Sequence, residues 1–106
     1  MKVFKGQKDK IRIECEATFD GQKEQFILFF KPLPTSRTED LVEDGLDHQL
    51  ALLREFIVDW EIRDEEDNLI PFDKPSLDEF LDILPYYMAA RVGLLQSINP
   101  ETEAKN

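Results

Sequence analysis

The chain has 106 residues, 42% of them hydrophobic, with a formal net charge of −10 from 23 acidic and 13 basic side chains. That length fits one domain with a modest core and leaves little mass for a deep enclosed pocket. The acidic balance repels nucleic-acid phosphates and anionic membrane faces, so we expect neither as a partner.

The first third reads as β-structure. Ile11, Ile13, Cys15, Ala17 and Phe19 alternate with Arg12, Glu14, Glu16 and Thr18, the period of a strand with one dry and one wet face. Asp20-Gly21 follows, a favoured pair for a tight hairpin turn because both positions tolerate positive φ. Gln25 to Lys31 is the return strand. Its unbroken Phe26-Ile27-Leu28-Phe29-Phe30 run suggests cover on both faces, or an edge open to another chain. Val3-Phe4 is a candidate for a short third strand.

Pro32-Leu33-Pro34 ends the hairpin, since proline cannot donate to a ladder. Ser36 with Glu39 has capping-box spacing. From there Val42, Leu46, Leu50, Leu53, Ile57 and Trp60 step by three or four residues, which predicts one long helix with a continuous apolar stripe. Gly45 lies inside it and predicts fraying or a kink in its early turns.

Asp64 to Asn68 is a polar turn, and Leu69-Ile70-Pro71-Phe72 an extended apolar clip. A second helix is expected to open at Pro75-Ser76. Ser76 and Glu79 form its capping box, and Leu77, Phe80, Leu81 and Leu84 share its face. Pro85 interrupts it, and helical periodicity resumes through Met88, Val92, Leu95 and Ile98. Asn99-Pro100 stops that helix. The expected fold is thus α+β: a β-hairpin region over 1–34 packed on a helical region over 36–98, whose last helix is broken by proline, and a polar tail over 99–106.

Few residues suggest covalent or metal chemistry. His48 is the single histidine, so a triad or metal centre would have to be built around it; it reads as a boundary helix residue beside Asp44 and Asp47. Cys15 lies on the dry face of a strand between two glutamates, the setting of a packing thiol rather than a nucleophile. Asp64, Glu66 and Asn68 match the start of a calcium loop, but Leu69 stands where the loop needs glycine, and Pro75 where it needs a bidentate glutamate. The four glycines are isolated, so no phosphate-cradling loop is present. We expect no catalytic residue, no cofactor and no metal. Tyr86 and Tyr87 with Met88 have interface chemistry or core-edge chemistry in equal measure.

Trp60-x-x-x-Asp64-Glu65-x-x-Asn68-x-Ile70-Pro71-Phe72 leads into Leu77-x-x-Phe80-Leu81-Asp82-x-x-Pro85. This resembles a segment of the tail assembly chaperones of tailed phages and prophages, over residues 53–98. Two features depart from that family. Asn68 stands where the turn usually carries glycine, and the last helix lacks an acidic, alanine-rich end. The resemblance implies a non-enzymatic protein that coats the tape measure protein, meets the tail tube protein, self-associates into an oligomer, and works in the host cytoplasm outside the finished virion. Leu33, Phe72, Tyr86, Tyr87 and Met88 are the expected partner contacts under that reading. The starting run Met1-Lys2-Val3-Phe4 has no signal-peptide character, which agrees with a cytoplasmic expectation. Another acidic protein-binding module, or a small hydrolase using paired carboxylates, are the competing expectations.

Overall fold

The computed structural model describes residues 2 and 4–98. The elements in order are β1 (Ile11–Phe19), β2 (Gln22–Phe30), a 3-10 segment (Thr35–Leu41), α1 (Leu46–Phe56), β3 (Ile57–Glu61), α2 (Lys74–Leu81) and α3 (Leu84–Ile98). The fold is α+β, a three-stranded antiparallel sheet of order β1-β2-β3 with helices on one face. The expected strand at Val3 and the helix stop and polar tail at 99–106 lie outside the described residues. Phe4 is in no strand and is exposed.

The hairpin follows directly from its residues. Asp20 and Gly21 both take positive φ, 48° and 80°, so the loop has two residues and Phe19 pairs with Gln22. That register puts Ile13, Cys15 and Ala17 of β1 on the same side as Phe26, Leu28 and Phe30 of β2, all buried. The apolar run in β2 therefore does alternate. Ile27 and Phe29 face the other way and are half-buried. Lys10 covers Phe29, its ammonium 5.2 Å from the ring centre and 3.5 Å from Asp59.

The long helix predicted from Val42 to Trp60 does not form. Gly45, at φ 117°, separates the 3-10 segment from α1. The 3-10 segment starts after Pro34 with no side-chain cap, so Ser36 is not a capping residue. α1 buries Gln49, Leu52, Leu53 and Phe56, a face rotated from the predicted stripe; Val42 and Leu46 are exposed. At Ile57 the backbone becomes extended and pairs with β2. Ile57 and Val58 are β-branched, and Trp60 and Ile62 point inward while Glu61 is exposed, so a period-two signal lay beneath the helical one. β3 also satisfies the second edge of β2, which would otherwise leave backbone groups unpaired beside a buried apolar face.

The segment after β3 folds into a short return. Arg63 bridges to Leu69, and Ile70 N–H donates to Ile62 O. Asp64 Oδ1 accepts from the backbone N–H groups of Glu66 and Asn68. The left-handed residue of this turn is Asp67, φ 66°, rather than Asn68. Trp60 Nε1–H donates to Ile70 O at 2.8 Å and Phe72 meets the indole edge-on, which fixes the clip against the core. Asp73, not Ser76, caps α2: its carboxylate accepts the Ser76 N–H at 2.7 Å. α2 stops at Leu81, and Pro85 lies in the first turn of α3, where its missing N–H costs nothing.

α3 lies across β1 and β2, and its approach is set by small side chains. Ala89, Ala90, Gly93 and Ser97 face inward and are buried. A Cβ at Gly93 would lie 2.9 Å from Cys15 Sγ and 3.3 Å from the Phe30 ring. One end of this layer is closed by rings. Tyr86 stacks on Phe80 at 4.5 Å and meets Phe19 and Phe26 edge-on at 4.9 and 5.6 Å.

This packing makes a sharp stability prediction. Gly93→Ala gains up to about 1 kcal/mol of helix propensity, but overpacking against a sulfur and a ring costs about 1–3 kcal/mol. We expect a net loss in urea unfolding. In a Cys15→Ala background the sulfur contact is gone, and the same change should cost at least ~1 kcal/mol less. Additive effects of the two substitutions would show that the contact does not limit the helix approach.

Candidate functional site

The outer surface of α3 is the most unusual chemical feature of the molecule. α3 turns Ala89, Ala90, Gly93 and Ser97 inward together with Tyr87 and Leu94, and presents five large apolar residues to solvent: Leu84, Met88, Val92 and Leu95, each more than half exposed, and Ile98 at 38%. They follow one another at helical spacing and form a single stripe. The periodicity through Met88, Val92, Leu95 and Ile98 is thus the expected helical one, but it marks the wet side of the helix. A helix in a small domain normally does the reverse, since burying large side chains gives most of the hydrophobic gain.

The stripe has a flank. Val42 and Leu46, both well exposed, border a shallow depression together with Tyr87 and Arg91 of α3 and Glu43 and Asp44 of the preceding turn. Arg91 is the one charged residue within Leu84–Ile98, and its guanidinium lies 6.0 Å from the Tyr87 ring centre. The face is therefore apolar and weakly cationic on a strongly acidic protein, with carboxylates at its border.

The five partner contacts expected from the sequence fall in different places. Met88 stands in the middle of the exposed stripe. Tyr87 is buried under it, beside the depression. Leu33 and Phe72 are half-buried against the core, Phe72 on Trp60. Tyr86 belongs to the ring cluster, and its hydroxyl donates to the Glu24 carboxylate. Burial first, and the Glu24 charge with it, push the Tyr86 phenol well above its ordinary range. Val92 and Leu95 were legible as apolar residues of the last helix. Only the small inward residues Ala89, Ala90, Gly93 and Ser97 signal which side they face.

Elsewhere, His48 lies beside Asp40 and Glu43, and the remaining candidate chemistry is dispersed. Cys15 is buried under Gly93. Glu14, Glu16, Glu61, Asp64 and Asp67, with Arg63, line an open concavity on the outer face of the sheet. Among the described residues, the carboxyl groups with displaced acidity are lowered, not raised. Glu55 is held down by hydrogen bonds from Arg37, at 2.8 and 2.9 Å, and Asp73 by the Ser76 N–H it accepts as a helix cap. A general acid near neutrality needs the opposite shift. No helix among the described residues is long and apolar enough to cross a membrane. Compared with protein families, curated proteins and solved structures, this chain matches none.

The Arg37–Glu55 pair ties the 3-10 segment to α1 and carries a pH signature. Because the Glu55 carboxyl is lowered in the folded state, its contribution is full above the ordinary value of 4.5 and fades as pH falls through the lower folded value. The difference in melting temperature between wild type and Glu55→Gln should therefore be largest near neutrality and close in acid. A gap that does not narrow as pH falls from 4.5 further into acid would contradict this assignment.

Proposed function

We propose that this chain is a non-enzymatic assembly protein that binds apolar helical protein through the outer face of α3, in the manner of a tail assembly chaperone. The observation that carries the reading is the stripe Leu84, Met88, Val92, Leu95 and Ile98. Five such side chains, exposed to this extent, present on the order of 500 Å² of apolar surface. That area reaches the upper range of the largest patch on a typical monomer, where patches are often functional. A helix laid along it would bury large side chains in a pattern that α3's own domain leaves open.

The resemblance over residues 53–98 supplies the specific form of the proposal. The client is then the tape measure protein, with the tail tube protein as a later contact, and the face also serves self-association in the host cytoplasm. The high net negative charge supports such a role because a holdase with apolar surface must itself stay soluble. A second reading rests on the acidic concavity of the sheet, which fits a basic protein segment and would make this an acidic binding module of another kind.

The test is co-expression with a tape measure protein, read as the soluble fraction of the client, together with sedimentation velocity of the chain alone across concentrations. Wild type should keep the client soluble and sediment faster as concentration rises. Met88→Glu/Val92→Glu should lose most of the client-solubilising effect, about tenfold. It should keep wild-type stability within ~1 kcal/mol, since both sites are exposed. Equal client solubility with the double variant would overturn the proposal. If instead Glu16→Lys/Glu61→Lys abolishes binding of a basic partner, the second reading is favoured.

A further inference from the structure

We propose that Asp40, Glu43 and His48 form a binding site for a divalent transition metal, with zinc as its representative, at the junction between the 3-10 segment and α1. The three side chains come from the end of the 3-10 segment, the link that follows it, and the first turn of α1, on either side of the positive-φ Gly45. One ligand atom from each lies within 4.8 Å of the other two.

One nitrogen of the cluster has both carboxylates beside it. His48 Nε2 lies 3.6 Å from Asp40 Oδ1 and 3.5 Å from Glu43 Oε2. Both exceed the range of an N–H···O bond. Donors bound at about 2.0–2.2 Å to one tetrahedral ion stand roughly 3.3–3.6 Å apart, which the two distances from His48 match, while the two carboxylates lie within 4.8 Å of each other. The Asp40 carbonyl oxygen, 3.2 Å from the same nitrogen, is the one group placed for a direct hydrogen bond. A single Nε2–H serves one oxygen and leaves the two carboxylate oxygens converging on the ring without a proton between. With the imidazole proton on Nδ1 instead, the Nε2 lone pair joins both carboxylates as a third donor. Imidazole with two carboxylates suits zinc and its neighbours, whereas magnesium and calcium prefer oxygen alone.

Residues outside the trio hold it in place. Arg37 Nε donates to Asp40 Oδ2 at 2.6 Å, which turns Oδ1 toward His48. Arg37 is itself held by both Glu55 oxygens. Buried Gln49 donates to the Glu43 carbonyl at 2.7 Å and lies 3.4 Å from that of Asp40, fastening the carboxylate-bearing backbone over α1. Such outer partners orient ligands in metal sites and tune their affinity. Asp40 and His48 are half-buried and Glu43 is exposed, so an ion can enter from solvent and water can complete its coordination. Binding would tie the 3-10 segment to α1 beside Val42 and Leu46.

Isothermal titration of the untagged, chelator-stripped full chain with zinc chloride tests the site, with magnesium chloride as the contrast. We expect one saturable zinc site, no comparable magnesium site, and a zinc-dependent rise in melting temperature. His48→Ala and Glu43→Gln should each weaken zinc binding tenfold or more, with unchanged circular dichroism in chelator. Because His48 is the single histidine, its ¹⁵N resonances report directly, and Nε2 should shift on zinc addition. Zinc binding of equal strength in wild type and His48→Ala would overturn the proposal, as would magnesium binding as tightly. No saturable zinc binding would reduce the trio to an ion pair of imidazolium with two carboxylates, and would equally overturn it.

Discussion

The contact of Gly93 with Cys15 and Phe30 decides how the helical layer meets the sheet. A helix normally stands off a partner by the length of its side chains, 8–10 Å between axes for helix pairs. Here glycine and two alanines face β1 and β2, and the strand residues beneath are themselves small at Cys15 and Ala17. The helix backbone at Gly93 comes close to the Cys15 sulfur and the Phe30 ring, and of the large apolar side chains of α3 the core takes Tyr87 and Leu94 while Leu84, Met88, Val92, Leu95 and Ile98 stay outside it. Those side chains do not disappear from the sequence. They occupy the opposite face, and the exposed apolar stripe is a direct consequence of the docking.

The rest of the core compensates. Phe26, Leu28 and Phe30 from β2, Leu52, Leu53 and Phe56 from α1, and Trp60 from β3 supply the volume that α3 withholds. The ring cluster of Phe19, Phe26, Phe80 and Tyr86 closes one end, and Trp60 with Phe72 extends it toward the clip. Each ring pair of this geometry contributes about 0.5–1.5 kcal/mol beyond its buried area. The sheet in turn depends on β3, because β2 with an open edge beside its apolar run would invite pairing with other chains.

Local chemistry made the hairpin legible. Strict alternation in β1, Asp20-Gly21 at the turn and Pro32-Leu33-Pro34 at its end are signals that tertiary context reinforces. The stretch from Val42 to Trp60 misled because three-four spacing and alternation coexist in it. Gly45 and the β-branched pair Ile57-Val58 carried the decisive information, and the pairing needs of β2 lie far away in sequence. The orientation of α3 was hidden for a related reason. Apolar residues run all round that helix, so periodicity alone does not say which side is dry; the small residues do. The trio around His48 was illegible because the predicted single helix had no break at Gly45, and the break there sets where Asp40 and Glu43 lie relative to His48.

The central claim is that α3 docks by its small face and presents its large apolar face to other proteins. Methyl NMR with a soluble paramagnetic probe measures this directly, in dilute protein and again with an added partner. In dilute protein the account predicts shielded Ala89 and Ala90 methyls and strongly attenuated Met88, Val92 and Leu95 methyls, with the latter three protected once a partner binds. Shielded Met88 and Leu95 beside attenuated Ala89 and Ala90 in dilute protein would contradict it.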